Sequence, residues 1–268
     1  MRIAFFIRVI LALGAAQAAA ACGPDSDCVV GERHYRIQWP GGAPEPAGAI
    51  VYAHGYRGSA AGVMRNRALR RLAEAEGLAL VALDSRDQDW VIPHAPGHPD
   101  TDGAPEFAYV AAVLDDVARR FALDRDRVMA AGFSSGGMLM WTLACEMPGR
   151  FAGLVAVAGT FWQRPPDTCA SPAASLVHIH GTSDPVVPLA GRAIRETWQG
   201  DVREALAMYR RVGSFHGAAP AQVEGMTCEG WRNDAGEILD FCLHPGGHSL
   251  RTDYIRGGLD RLRAAGRM

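Results

Sequence analysis

The stretch Val128-Met129-Ala130-Ala131-Gly132-Phe133-Ser134-Ser135-Gly136-Gly137 decides the fold of this chain. An apolar run, residues 128–131, ends at a glycine-rich turn, and a helical pattern follows over Met138–Met147. Ser134 has glycine two positions before and two positions after it, which is the GxSxG pattern of a serine on a sharp strand-to-helix turn. Small residues are needed there because chain segments approach closely around a strained turn. The stretch predicts a nucleophile elbow with Ser134 at its tip.

Two backbone N–H groups are predicted to stabilise an oxyanion beside this serine. Ser135 has Phe133 two positions before it, so it fails the steric requirement for the nucleophile, and its N–H is expected to face the oxyanion. A second donor is expected from Tyr56, in the loop His54-Gly55-Tyr56-Arg57-Gly58 that follows the apolar run Ala49–Ala53.

A serine hydroxyl is a weak nucleophile until a base removes its proton, so an acid and a histidine must follow Ser134 along the chain. Asp184 comes shortly after the apolar run Leu176–His180, and His248 follows the strand-like run Ile238–Leu243 through a Pro-Gly-Gly loop. Both lie beyond the carboxyl end of a predicted strand, where the sites of parallel sheets form. The predicted catalytic residues are Ser134, Asp184 and His248.

Other residues of the same types fit these roles less well. Asp201 is expected to cap a helix, and Asp240 lies inside a strand-like run. His244 is the main rival of His248, but it is expected to end its strand. Three further histidines are expected to precede the last strands or to pack in the sheet: His216, His178 and His180.

Short apolar runs alternate with helical patterns along the chain, and such runs are typical of strands buried on both faces. The pattern predicts an α/β fold with a mostly parallel central sheet and helices on both faces. One catalytic domain over residues 22–268 is expected. The predicted strands are Arg33–Trp39, Ala49–Ala53, Leu78–Leu83, Val128–Ala131, Leu154–Ala158 and Leu176–His180, and the predicted helices are Ala60–Glu76 with Ser59 as its cap, Phe107–Phe121 and Met138–Met147.

Two tryptophans are candidates for substrate contact. Trp90 lies in the long, proline- and glycine-rich loop Asp84–Pro105, and Trp162 lies in the segment Thr160–Arg164. Both segments follow predicted strands on the side where parallel-sheet sites form. An aromatic wall would suit an aryl or hydrophobic acyl group, although such residues also fill gaps in a core.

The composition is that of a globular protein. The chain has 268 residues, of which 49% are hydrophobic and 21% are charged, which excludes a disordered chain. Lys and Arg total 27 against 29 Asp and Glu, giving a formal net charge of −2. Without a basic field, nucleic acid is not an expected partner.

The first 21 residues have the features of a secretory signal peptide. Arg2 and Arg8 accompany an apolar run that continues into alanines with Ala-x-Ala frames. The run is too short to span a bilayer, so no transmembrane segment is expected. Cleavage is expected near Ala20 or Ala21, with lipid attachment at Cys22 as the minor alternative.

The cysteines of an exported chain predict disulfides rather than a metal or redox site. The six cysteines allow fifteen pairings, and the sequence alone leaves these open. Local spacing favours Cys22 with Cys28, Cys145 with Cys169, and Cys228 with Cys242. No CxxC or HExxH motif occurs, and His94 and His98 stand in a stretch where no helix would align them, so no metal is expected.

At these residues the chain resembles the secreted α/β-hydrolase esterases called polyhydroxybutyrate depolymerase-like, feruloyl esterase-like or acetylxylan esterase-like. The resemblance covers most of residues 22–268 and implies the α/β-hydrolase fold with the catalytic residues predicted above. Ser135 departs from the more common Asn, and Ser249-Leu250 replaces a usual Trp. The matching stretches are His54-Gly55-Tyr56, Asp126-Arg127-Val128 with Gly132–Met138, and His180-Gly181-Thr182-Ser183-Asp184-Pro185-Val186-Val187-Pro188.

The predicted function is that of a secreted or periplasmic serine esterase that needs no cofactor. The expected substrate is a feruloyl or other aryl ester, a hydroxyalkanoate polyester or its oligomers, or an acetylated sugar or small ester, so the partner can be polymeric or derived from plant cell walls. A peptidase or an acyl transferase would use the same three residues. A non-catalytic binding protein on this scaffold is the alternative from a different class.

Overall fold

The structure is a computed structural model that describes residues 22–42, 46–223 and 225–268, so the predicted signal peptide lies outside the described residues. No helix in the described part of the chain combines the length and apolar character needed to cross a membrane. The strands are β1 Cys28–Val30, β2 Arg33–Gln38, β3 Ala47–Ala53, β4 Ala79–Leu83, β5 Leu123–Phe133, β6 Gly153–Val157, β7 Leu176–Gly181, β8 Arg192–Ile194, β9 Thr197–Gln199, β10 His216–Val223, β11 Met226–Arg232 and β12 Ile238–His244. The helices are α1 Ala60–Arg65, α2 Arg67–Ala75, α3 Ala104–Arg120, α4 Ser135–Glu146, α5 Val202–Val212 and α6 Thr252–Ala264.

A ten-stranded sheet, in the order β1-β2-β4-β3-β5-β6-β7-β12-β11-β10, forms the centre of the molecule. The six strands from β4 to β12 in this order are parallel. The pairings at both ends of the sheet are antiparallel: β1 with β2, β2 with β4, β12 with β11, and β11 with β10. All residues of β3, β4, β6 and β7 are buried, as expected for parallel strands covered on both faces. The predicted α/β class with a mostly parallel sheet is confirmed.

Helices cover both faces of this sheet, as predicted. Side chains of α3, α4 and α5 belong to one buried hydrophobic cluster, and side chains of α1, α2 and α6 belong to a second one. Because the six central strands are parallel, their carboxyl ends lie at the same end of the sheet, where the loops after them form. Representative members of the two clusters are Val113, Leu139 and Leu206 on one face, and Val63, Leu69 and Ile255 on the other.

One predicted helix is divided in two. Ser59 caps the first part as expected, because its side chain accepts a hydrogen bond from the Gly62 N–H. Asn66 then interrupts the helix, and its side-chain oxygen accepts hydrogen bonds from the N–H groups of Ala68 and Leu69 to start α2. The prediction of one helix over Ala60–Glu76 is therefore wrong at Asn66, since an asparagine side chain competes with the helical backbone bonds.

The strands at the two edges of the sheet are short or irregular. At one edge, β1 has three residues, and a disulfide joins its first residue, Cys28, to Cys22. At the other edge, β10 contains Pro220, and its pairing with β11 shifts register between His216 and Ala219. A proline has no N–H for a further strand to bind.

The structure contains three disulfides in the pairings that the spacing favours, Cys22–Cys28, Cys145–Cys169 and Cys228–Cys242. Cys228 and Cys242 stand directly opposite each other on β11 and β12, with their Cα atoms 4.0 Å apart. This bond joins β11 to β12, the strand that leads to His248.

Replacing both Cys228 and Cys242 with serine is expected to lower the free energy of unfolding by about 2–4 kcal/mol, because the bond restricts the unfolded chain. Urea denaturation followed by circular dichroism would measure the change. A Cys22→Ser/Cys28→Ser variant, with a sequence separation of 6 instead of 14, should lose less. An unfolding midpoint equal to that of the unmodified protein would contradict a stabilising role for the β11–β12 bond.

Candidate active site

Ser134 stands at the junction of β5 and α4 in a conformation that few residues other than glycine adopt. Its φ is 59° and its ψ is −120°, so the turn is strained. The Ser134 N–H donates to the Val157 carbonyl at 2.9 Å, which ties the turn to β6. A Cβ at Gly132 would lie 2.2 Å from the Gly136 carbonyl oxygen, so a side chain has no room there. The structure thus has the strand, tight turn and helix that the motif predicts.

Three predicted residues come together at this turn. The Ser134 Oγ lies 2.9 Å from His248 Nε2, and His248 Nδ1 lies 2.7 Å from Asp184 Oδ2. Ser134 and His248 are 114 residues apart in the sequence, and Asp184 and His248 are 64 residues apart. The loops after β5, β7 and β12 bring all three together at the carboxyl ends of the parallel strands. A nucleophile, a base and an orienting acid in hydrogen-bond sequence can support acyl transfer.

The Asp184 carboxylate is held from two sides. Its Oδ1 accepts hydrogen bonds from the N–H groups of Val186 at 2.8 Å and Val187 at 2.9 Å, while Oδ2 faces His248. Its side chain has no solvent exposure. These bonds leave one oxygen free to orient the imidazole. The same turn requires Gly181, because a Cβ there would lie 2.4 Å from the Gly246 carbonyl oxygen in the loop before His248.

The loop His54–Gly58, which is predicted to supply the Tyr56 N–H and is called the donor loop below, lies directly against Ser134. A Cβ at Gly55 would be 3.4 Å from the Ser134 Cβ. The Arg57 N–H donates to the Gln88 carbonyl and the Gly58 N–H donates to the Gly55 carbonyl, at 2.8 and 2.9 Å. Neither of these bonds uses the Tyr56 N–H. Ser135 is the first residue of α4, where a backbone N–H has no partner within its helix.

The His54 side chain forms hydrogen bonds that hold the donor loop in place, a role that the sequence did not reveal. It is 5% exposed. Its Nδ1 lies 2.8 Å from the Gly55 carbonyl oxygen, and its Nε2 accepts a hydrogen bond from the Ser85 N–H at 3.3 Å. Both ring nitrogens of His54 therefore have a backbone hydrogen-bond partner, one on each side of the ring. The available sequence signal was its place immediately after a buried strand.

Trp90 does not have the position predicted for a substrate contact, because it is fully buried and offers no surface to a substrate. Its indole N–H donates to the His54 carbonyl at 2.8 Å, and its ring centroid lies 4.8 Å from that of His54. The loop containing it is closed by a buried ion pair, in which Arg33 bonds Glu106 at 2.8 Å and Glu106 accepts the Val91 N–H. Trp90 thus supports the donor loop and forms no substrate wall.

Trp162, the second residue predicted to contact the substrate, is also buried. It is 9% exposed, belongs to the hydrophobic core and forms a backbone bridge with Gln199. Two other aromatic side chains are exposed, Tyr56 at 58% and Trp198 at 43%. Burial depends on the packing of distant segments, which the local sequence around a tryptophan does not show.

Replacing Trp90 with phenylalanine is expected to reduce kcat/KM about fivefold for every ester, because the variant loses one buried hydrogen bond of about 1 kcal/mol to the donor loop. The ratio of kcat/KM for an aryl ester to that for a short alkyl ester should not change. Steady-state kinetics with both substrates would measure it. A changed ratio would return Trp90 to the role of a substrate contact.

The rival residues have other partners. His244 ends β12, stacks on Tyr254 with centroids 4.7 Å apart, and has a pKa lowered by burial. Asp201 caps α5, and Asp240 pairs with Arg261 at 2.6 Å. Within the described ranges, no group of three or more His, Cys, Asp or Glu side chains is placed to hold a metal ion.

The chain is similar in sequence to several known or putative esterases. A profile of the phospholipase/carboxylesterase family matches residues 104–205. A putative esterase, NocK, from Nocardia uniformis subsp. tsuyamanensis is 35% identical over 164 residues, which span 59% of this chain and 47% of that protein. A probable feruloyl esterase C from Aspergillus niger is 27% identical over 177 residues, 62% of this chain and 60% of that protein. The chain thus spans about half to three fifths of these relatives.

Among solved structures, an acetyl xylan esterase from Aspergillus awamori superposes with a TM-score of 0.64 at 16% identity. The superposition covers 92% of this chain and 97% of the other. At this identity the likeness shows the fold. Together with the sequence matches, it confirms the resemblance to α/β-hydrolase esterases that the motifs indicated.

Proposed function

We propose that the chain is a serine esterase of the α/β-hydrolase type, which cleaves carboxylic esters through an acyl-enzyme on Ser134. The observation that carries this proposal is the continuous contact from Ser134 Oγ through His248 to Asp184, at 2.9 and 2.7 Å. The matches to esterases support the same reaction class.

In the first half of the reaction, Ser134 Oγ attacks the ester carbonyl carbon while His248 Nε2 takes its proton. The carbonyl oxygen becomes an oxyanion, which accepts hydrogen bonds from the N–H groups of Tyr56 and Ser135. The imidazolium then gives its proton to the leaving alcohol oxygen, and the carbon–oxygen bond of the ester breaks. The acyl group remains on Ser134.

In the second half, water replaces the alcohol. His248 takes a proton from the water, whose oxygen attacks the acyl carbon, and the tetrahedral intermediate collapses to release the acid. Protonated His248 returns its proton to Ser134 Oγ. Asp184 stabilises the imidazolium in both halves, because its buried carboxylate accepts the Nδ1–H bond.

The surroundings of the site favour an aryl ester as substrate. Tyr56 is exposed on the donor loop, and the Phe133 ring lies 4.7 Å from that of His248. These rings can pack on an aromatic acyl group. Feruloyl esterase C proteins among the relatives support this choice. Such an ester can be polymeric or derived from plant cell walls. Hydroxyalkanoate polyesters or their oligomers, acetylated sugars and other small esters are the competing substrates.

The same proposal includes export from the cytoplasm. Three disulfides in the described part of the chain favour an oxidising compartment, and the sequence predicts a signal peptide over residues 1–21, followed by one catalytic domain over residues 22–268. Mass spectrometry of the exported protein would test this. A mature chain that retains residues 1–21 would contradict it.

A fluorophosphonate probe would test the reaction class, since it labels activated serines covalently. We expect one label per chain, mapped to Ser134 by peptide mass spectrometry, together with hydrolysis of an aryl ester faster than that of an acetylated sugar. Turnover of the matching anilide at an equal rate would favour a peptidase. Label without hydrolysis but with transfer to an added alcohol would favour an acyl transferase. Absence of both label and turnover would leave a binding protein.

A further inference from the structure

A line of three buried side chains runs from α4 through β7 to the Asp184 turn. The Trp141 Nε1 lies 3.1 Å from His178 Nδ1, His178 Nε2 lies 3.0 Å from His180 Nδ1, and His180 Nε2 lies 2.7 Å from the Val187 carbonyl oxygen. All three side chains are fully buried. His178 and His180 are two positions apart on a strand, so they point to the same face of the sheet.

The chemistry at the two ends of this line fixes the direction of every hydrogen bond in it. The indole N–H of Trp141 can only donate, and the Val187 carbonyl can only accept. His178 therefore accepts at Nδ1 and donates from Nε2, and His180 does the same. In this one arrangement each of the three contacts is a hydrogen bond with one donor and one acceptor.

Both histidines must be neutral for this arrangement, and their surroundings keep them so. Burial lowers the pKa of His178 well below its usual value, and the neighbouring His180 lowers it further. Burial is the largest effect that lowers the pKa of His180, and the neighbouring His248 and His244 lower it further, against the raising effects of the Val187 bond and the Asp184 charge. A proton on either acceptor nitrogen would also remove one hydrogen bond of the line.

The line ends on the turn that holds the predicted acid. Val187 accepts the His180 hydrogen bond through its carbonyl, and its own N–H donates to Asp184 Oδ1 at 2.9 Å. The His180 Nε2 is also 3.6 Å from Asp184 Oδ2, the oxygen that faces His248. The His180 N–H thus lies between the turn and the carboxylate.

We propose that His180 is a positioning residue that acts through Asp184, and that Trp141 and His178 hold it with its N–H directed at the Asp184 turn. This rests on the proposed function, because the effect reaches the substrate only through His248 and Ser134. With the N–H in place, the Val187 carbonyl has its donor at 2.7 Å, and the positive end of the N–H dipole lies 3.6 Å from the carboxylate oxygen Oδ2. Without it, the buried Val187 carbonyl loses its hydrogen bond, and the turn whose N–H groups bind Asp184 Oδ1 loses one of its supports.

Steady-state kinetics of two His180 variants with an aryl ester would test the positioning role. His180→Leu should lower kcat about tenfold and leave KM within about twofold, because the ester itself does not touch this residue. His180→Gln should restore part of the loss, since its amide N–H can donate to the Val187 carbonyl. Equal kcat in His180→Leu and the unmodified protein would overturn the proposal, as would a failure of glutamine to improve on leucine.

A matched pair of tryptophan variants tests the other end of the line even if His180→Leu does not fold. Trp141→Phe removes the indole that donates to His178 and should lower kcat severalfold. Trp231→Phe is the control, because Trp231 is also buried but its indole nitrogen has no hydrogen-bond partner among the described residues. The proposal fails if the two variants have the same kcat.

The proton positions can be measured without catalysis. ¹⁵N NMR of the imidazole nitrogens should show His178 and His180 as neutral rings with the proton on Nε2 between pH 6 and 8. A proton on Nδ1 of either ring would overturn the arrangement. If the unmodified protein hydrolyses no ester, the proposed function fails while the NMR result still decides the arrangement. If it hydrolyses esters and no variant changes kcat, only the positioning role fails.

Discussion

Ser134→Ala is expected to lower kcat for an ester by roughly 10⁴- to 10⁶-fold, the loss typical of removing a catalytic serine. Alanine lacks the hydroxyl oxygen that attacks the ester and that lies 2.9 Å from His248 Nε2 in the unmodified protein. The melting temperature should change little, because the serine side chain makes no contact that the core depends on. Initial rates with an aryl ester and a thermal melt would measure both effects.

Ser135→Ala is the matched control for this loss. The Ser135 hydroxyl is buried and has no hydrogen-bond partner among the described residues, and the expected contribution of Ser135 is its backbone N–H, which alanine retains. Activity within about threefold of the unmodified protein is expected. Fluorophosphonate label that persists in Ser134→Ala and disappears in Ser135→Ala would exchange the roles of the two serines.

Gly136→Ala is expected to destabilise the fold by about 3 kcal/mol or more and to abolish activity. An added Cβ would lie 2.2 Å from the Ala53 carbonyl oxygen and 2.7 Å from that of His54. Both atoms belong to backbone at the start of the donor loop, so no side chain can rotate away. The elbow and the donor loop would have to separate, which moves both N–H donors. Urea denaturation and kcat/KM would measure the two effects.

Gly149→Ala is the control for the chemical change itself. A Cβ at Gly149 would meet nothing within 4 Å, so this variant should retain full activity and an unfolding free energy within about 0.5 kcal/mol. If Gly136→Ala behaves like Gly149→Ala, the close approach of the elbow to the donor loop has no energetic importance.

The parts of the site that could be predicted from sequence are those with a local steric or positional signature. The glycines around Ser134 reflect clashes that any side chain would cause, and these constraints act within a few residues. Asp184 and His248 could be predicted because each follows a recognisable buried strand, and parallel strands end at a common edge. The buried strands themselves were predicted within about two residues at most ends, because short apolar runs without alternation, bounded by turn residues, are typical of strands covered on both faces.

The remaining features depend on contacts between distant segments. The loop containing Trp90 has the prolines and glycines of an exposed loop, but a pair between Arg33 and Glu106, 73 residues apart, draws it inward. The line from Trp141 to His180 joins elements that share no motif. Asn66 is different, because its signal was local. An asparagine is a strong helix cap, and the apolar spacing on both sides obscured it.

The two edges of the sheet affect how the protein behaves at high concentration. Open edge strands can pair with strands of other molecules and seed aggregates. Here one edge offers only three residues tied down by a disulfide, and the other carries a proline and an irregular register. Among the residues that the structure describes, neither edge presents a long, regular row of N–H and carbonyl groups. These features protect the ten-stranded sheet against pairing edge to edge with strands of neighbouring molecules.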